Sequence, residues 1–267
     1  MKKRVPNYFK LLIGILVGLT ILVLATLLSK INSLDIKSDE VQNLYSFLGD
    51  EYLDYCGGMP LYISGEVTPL TLDDNTKMCL AYKQLNNKQK SSENISKYKK
   101  KDYCTVNATK IRLDKENDYC VVETFSLKTF NKAYGTIFKD EMPTLDEFAL
   151  SDEITCIFEE EKGSYVCGAQ YVQTIELGWA PTTYRMIASA KQKGDKIYIT
   201  DYFLAINNDR CYIANDGKTE NKECSKKINS KTKYKSRFVA KNGQKFIHTF
   251  AQDKNGNYYW ESTTPTK

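Results

Sequence analysis

His248 is the one histidine in the 267 residues, and it sits in Phe246-Ile247-His248-Thr249-Phe250. Strand alternation puts its ring on the face shared by Phe246 and Phe250. It is the only imidazole that a serine or cysteine nucleophile could use, and no Gly-x-Ser-x-Gly elbow accompanies it. The residue therefore reads as a strand histidine without a catalytic role. With one histidine, and no two of the eight cysteines closer than eleven positions, zinc-ligand spacings are missing. No metal or other cofactor is expected.

Carboxylates are the other candidates for chemistry. Between positions 139 and 161 stand Asp140, Glu141, Asp146, Glu147, Asp152, Glu153, Glu159, Glu160 and Glu161, with Lys139 the only base among them. A glycoside hydrolase needs two carboxyl groups facing each other across a cleft. Adjacent pairs such as these describe a solvated face better. Asp253-Lys254-Asn255-Gly256-Asn257 has the oxygen donors of a calcium loop, but its glycine is fourth, not sixth, and no closing glutamate follows. A hairpin turn explains it.

The opposite charge gathers between positions 218 and 245, where ten Lys or Arg meet only Glu220 and Glu223. Lys226, Lys227, Lys231 and Lys233, interleaved with Tyr234 and Phe238, make a candidate patch for an anionic ligand such as an envelope polymer or a headgroup. Nucleic acid is not an expected partner. Four of the 38 basic residues, Lys2, Lys3, Arg4 and Lys10, lie in an N-terminal tail, which leaves 34 against 33 acidic ones for the rest of the chain.

The elements that must position these groups begin with residues 11–28, an unbroken uncharged run in which thirteen are Leu, Ile or Val. As a helix it would span about 27 Å, close to a bilayer core. Basic residues before it and Asp35, Asp39 and Glu40 after it predict a single-pass anchor with a cytoplasmic N-terminus and the rest of the chain extracytoplasmic. The run ends Ala25-Thr26-Leu27-Leu28-Ser29, without the small-residue pattern of a cleaved signal peptide. Gly14 and Gly18 read as ordinary small residues of such a helix.

All eight cysteines, at 56, 79, 104, 120, 156, 167, 211 and 224, fall after this run. An even count outside a reducing cytosol reads as disulfides. Cys156 and Cys167 stand almost symmetrically about Glu160-Glu161-Lys162-Gly163, which sets them opposite each other in a hairpin. Sequential pairing adds Cys211 to Cys224, Cys104 to Cys120 and Cys56 to Cys79. Eight cysteines allow 105 connectivities, and only the hairpin has a local geometric argument.

Beyond a stalk at 29–38, residues 39–54 have helical spacing in Val41, Leu44, Tyr45, Leu48 and Tyr52. A second helix is predicted over 72–85 with Thr71 as its cap. Residues 86–102 read as a polar loop, which closes a helical segment over 39–102. In 103–267 a strand near 119–125 leads into a helix capped by Ser126, and strands follow near 153–158, 165–177, 183–190, 196–206, 211–214, 245–250 and 258–262. This order predicts an α+β domain, helices first and then an antiparallel, curled sheet of the cystatin-like or NTF2-like type. That analogy implies no function. Anchor, disulfides and 19 tyrosines together point to a membrane-tethered binding or envelope-interaction module, with another envelope protein as an alternative partner. A carboxylate-using hydrolase is the competing reading. The sequons at Asn94 and Asn107 matter only in a eukaryotic secretory pathway.

Overall fold

A computed structural model describes residues 31–48, 59–94, 99–100, 103–106, 109–112, 120–150, 154–169, 181–214, 217–228 and 236–266. The strand β1 (Ile31–Leu34) precedes helices α1 (Asp39–Ser46) and α2 (Asp74–Lys83). Then come β2 (Ser91–Asn94), β3 (Lys99–Lys100), β4 (Tyr103–Val106), β5 (Thr109–Arg112), β6 (Val121–Ser126), α3 (Leu127–Tyr134), β7 (Glu147–Ala149), β8 (Ile154–Glu159) and β9 (Ser164–Ala169). The chain continues through β10 (Thr182–Lys193), β11 (Lys196–Asn207), β12 (Arg210–Tyr212), α4 (Lys222–Ser225), α5 (Ser236–Asn242), β13 (Gln244–Gln252) and β14 (Tyr258–Pro265). Every strand pairing is antiparallel: a six-stranded sheet in the order β1-β10-β11-β13-β14 with β12 beside β11, a five-stranded sheet β2-β6-β9-β8-β7, and a small one, β3-β4-β5.

This architecture corrects the expected α+β order of helices first and one curled cystatin-like or NTF2-like sheet after. The protein is mostly antiparallel β-sheet in two main sheets with few helices. Strands start before α1, and short helices recur as late as α5. The expected loop at 86–102 contains β2, which pairs with β6 in register Ser91↔Thr124 to Asn94↔Val121. Its exposed Ser91 and Ser92 show why no alternation marked it: an edge strand with little buried surface has no apolar face to display.

The single-pass anchor is corrected as well. Among the described residues no helix is long and apolar enough to cross a membrane, and residues 11–28 lie outside the described residues. No anchor enters the reading that follows.

Local signals hold at several helix starts. Ser38 caps α1 by accepting from Val41 N–H, and Ser126 caps α3 by accepting from Thr129 N–H. For α2 the cap is Asp73, not Thr71, because the Thr71 hydroxyl is taken up within its own turn by Thr68. Val41, Leu44 and Leu48 of the first helical segment are buried in the same core as Ile197, Ile199, Phe203 and Phe250 of the large sheet and Phe125, Phe148 and Tyr165 of the second. Phe130 of α3 stacks on Phe148 at 5.5 Å and meets Tyr165 edge-on at 5.4 Å, which joins helix and sheet through aromatic contact.

Three disulfides join described residues: Cys104–Cys120, Cys156–Cys167 and Cys211–Cys224. The hairpin logic holds, since Cys156 and Cys167 are direct register partners on β8 and β9, and the turn between them closes through Gly163 at φ +57°, a left-handed conformation suited to glycine. Cys79 is disulfide-bonded; Cys56, its expected partner, lies outside the described residues. Bridges of this kind form and persist in oxidising surroundings. Replacing Cys156 and Cys167 by alanine is expected to lower stability by about 3 kcal/mol through the freed unfolded chain, read as a fall in the urea midpoint.

Candidate functional site

The alternation of β11 sets Ile197, Ile199, Asp201 and Phe203 on the inward face, and that of β13 sets Phe246, His248 and Phe250 beside them. In register, Ile199 faces His248 and Asp201 faces Phe246, so a carboxylate and the sole imidazole become diagonal neighbours inside the core. Both are completely buried. His248 Nε2 lies 3.0 Å from Asp201 Oδ1. Asp201 Oδ2 accepts from the phenols of Tyr45 on α1 and Tyr62, each at 2.7 Å. Arg185 on β10 donates to Tyr62 Oη at 3.2 Å and to the Leu48 carbonyl at 3.3 Å, and its guanidinium lies 4.3 Å over the Tyr45 ring.

On its other side the imidazole meets β14. Nδ1 is 2.8 Å from Thr263 Oγ1, and Trp260 Nε1–H donates to that same oxygen at 3.1 Å. In the neutral ring Nε2–H faces Asp201, and Nδ1 accepts from the threonine hydroxyl. Thr263 also fixes the preceding turn, since its N–H and C=O pair with Val67 at 2.8 and 2.9 Å.

Electrostatics follow from this enclosure. Burial by itself drives the Asp201 carboxyl up; the charge of His248 and hydrogen bonds from His248, Tyr45 and Tyr62 outweigh it and hold Asp201 below the ordinary carboxylate range. Burial, together with the Asp201 charge, pushes the Tyr45 and Tyr62 phenols far up, so both remain donors. For Arg185, burial acts downward, but the two tyrosines and Asp201 raise it on balance.

The order carboxylate, imidazole, hydroxyl is that of a nucleophile relay, yet Thr263 cannot do that chemistry here. It is fully buried, Trp260 occupies the approach to Oγ1, and a reacting carbonyl would have to come within about 3–3.5 Å of that oxygen. The cluster holds charge and protons; it does not reach a substrate.

An accessible concavity adjoins it. A groove of ≈ 290 Å³ runs between Pro69 and Leu70 on one side and Ala251, Tyr259 and Trp260 on the other, with Lys139, Asp140, Asp253 and Glu261 at its rim. Leu70 is 93% exposed and extends the apolar wall of the groove. The rim acids are held in place. Asp140 lies 3.8 Å from Lys77, Glu261 lies 2.5 Å from Lys196, and Asp253 Oδ1 accepts from the backbone N–H of Asn255 and Asn257 at 2.8 and 2.9 Å. Those backbone bonds keep the Asp253 carboxyl below its usual range. The 253–257 segment is thus a hairpin turn, closed by Gly256 at φ +89°. A second concavity of ≈ 320 Å³, near Ser64, Thr219 and Thr266, has no charged side chain in its described wall.

The other residues singled out in the sequence are dispersed. Lys226 and Lys227 lie 3.2 and 3.7 Å from the exposed Glu223, while Lys231 and Lys233 lie outside the described residues, as do Asp152 and Glu153. Glu159 pairs with Lys162 in the hairpin turn. Among the described residues no group of three His, Cys, Asp or Glu could hold a metal ion. Asp201, Tyr62 and Arg185 were missed by the sequence reading. Asp201 had a signal, an acid at an inward position of Ile197-x-Ile199-x-Asp201-x-Phe203; Tyr62 and Arg185 had none, since irregular backbone and long-range pairing place them.

A search of known protein families, curated proteins and solved structures found no match to this chain.

Asp201→Asn is expected to lower stability by about 3–5 kcal/mol, because it strips a buried cluster of its counter-charge. In the wild type the depressed Asp201 pKa contributes stability that is present above the unfolded carboxylate value of about 3.9 and is lost as pH falls through the lower, folded value. Urea midpoints measured between pH 6 and pH 2 should fall toward acid, and more steeply in the wild type than in Asp201→Asn.

Proposed function

We propose that this chain is a disulfide-stapled binding module suited to oxidising surroundings, and that the groove between the Pro69–Leu70 turn and the β13–β14 hairpin is its recognition face. One observation carries the reading: an almost wholly exposed leucine beside an apolar, aromatic-walled groove, on a scaffold stapled by disulfides. A preformed concave surface with fixed polar groups at its rim is the usual form of a ligand site. Rigid walls also limit the ordering cost of binding.

The rim indicates the ligand chemistry. Three carboxylates and one lysine surround an apolar floor, a setting for an aliphatic or aromatic group that carries a positive charge beside it, as on a protein partner. Burial of Asp201 keeps that carboxylate from any substrate, and the rim acids are each held by Lys77, by Lys196 or by their own turn, which favours this over the carboxylate-using hydrolase. An anionic polymer on the 218–245 block is less well supported, since Lys226 and Lys227 share Glu223.

A neutral apolar dye, 1-N-phenylnaphthylamine, can probe the groove without knowledge of the natural ligand. Leu70→Asp is expected to weaken dye binding about tenfold, with an unchanged melting temperature because the side chain is exposed. Dye binding insensitive to Leu70→Asp would place recognition elsewhere.

A further inference from the structure

We propose that His248 regulates the groove: its protonation loosens the Thr263 junction from which both groove walls hang, so that the groove binds less tightly in acid. The inference rests on the groove being the binding face. Thr263 is the common point of the two walls. Its Oγ1 takes the Trp260 indole N–H at 3.1 Å and contacts His248 Nδ1 at 2.8 Å. Its backbone pairs with Val67, two residues before the Pro69–Leu70 wall.

In the neutral state every partner at this junction is complementary. The threonine hydroxyl gives its hydrogen to Nδ1, and its oxygen receives the indole N–H. An added proton can go only to Nδ1, because Nε2 already carries one toward Asp201. Nδ1–H then points at Oγ1, where the hydroxyl hydrogen stood, and two donors face each other until that hydroxyl turns away. The turn occurs in a site closed to water, where an unpaired polar group is costly. The displaced hydroxyl hydrogen loses the partner it had in Nδ1, which favours a rearrangement of Thr263, and Trp260 and the Val67 pairing are tied to that residue.

The charged groups around the ring bear on the same step. Asp201 on β11, 3.0 Å away, attracts the new charge; Arg185 on β10, linked through Tyr62, opposes it. The Tyr62 phenol lies 3.4 Å from Nε2, and the Tyr45 ring of α1 stands edge-on at 6.2 Å. With the ring neutral, one carboxylate and one guanidinium balance; with it charged, the cluster is positive. Histidine is the side chain suited to such a change between pH 5 and 8. By reciprocity, a ligand that holds Trp260 and Leu70 in place must oppose proton uptake by His248.

The first test uses the full-length protein with its core intact. One histidine and two tryptophans, Trp179 and Trp260, give one imidazole signal and two indole N–H signals by NMR, and Trp179→Phe identifies that of Trp260. From pH 8 to pH 5 the Trp260 indole resonance should move with the midpoint of the imidazole. Affinity for 1-N-phenylnaphthylamine should fall about tenfold over the same range. Thr263→Ser should keep both responses, and Thr263→Val should lose the indole response while the imidazole still titrates. An imidazole that does not titrate, or one that titrates while indole and dye affinity stay constant, overturns the coupling and leaves the groove standing. Dye that fails to bind at pH 7.5, or binds regardless of Leu70→Asp, overturns the groove reading and takes this inference with it.

Discussion

A carboxylate placed on the inward face of β11 has to be compensated, because removing a charge from water costs several kcal/mol before any partner is found. Asp201 obtains its partners from four other parts of the chain: Tyr45 on α1, Tyr62, His248 on β13 and, through Tyr62, Arg185 on β10. Those elements must be in place together for the charge to be tolerated. A one-residue slip of β11 would turn Asp201 outward and drive its neighbours Thr200 and Tyr202 into the core. The buried pair thus pins the register of the large sheet and docks the first helix on it. Aromatic contacts complete the enclosure, with Tyr62 stacked on Phe203 at 4.5 Å and meeting Phe246 edge-on at 5.1 Å.

Much of this was legible in the chain where a strong local rule acted. Hairpin symmetry about a glycine turn found Cys156 and Cys167, and alternation put His248 with Phe246 and Phe250. Serine capped α3 as its position required. The reading failed where tertiary pairing overrode a weak local signal. Ser91–Asn94 carries no apolar face, and its strand state comes from β6 alongside. The groove was invisible for a related reason. Leu70 and Trp260 are far apart in sequence and come to line one groove through the pairing of Val67 with Thr263. Composition gave an anchor great weight, while the described residues contain no membrane-crossing helix.

The sheet margins are closed by internal hydrogen bonds at two points. At the short edge strand β7, the Asn75 side chain of α2 both donates to the Ala149 carbonyl and accepts from its N–H, at 3.0 and 2.7 Å. At β14, the Trp260 N–H is taken by the Ile137 carbonyl at 3.0 Å. Backbone groups that could recruit a foreign strand are satisfied internally at these points.

The three described disulfides join cysteines 16, 11 and 13 positions apart, each with the next cysteine in the chain. The loops neither cross nor enclose one another. A chain emerging from its N-terminus therefore presents the second cysteine of each of these pairs before the first cysteine of the next has appeared. Correct pairing among these three becomes a matter of order of arrival, and each bond can close before the cysteines of the next pair have appeared. Such a pattern shifts the burden of oxidative maturation from reshuffling to timing: for these bonds the protein needs an oxidant as it emerges and little subsequent isomerisation.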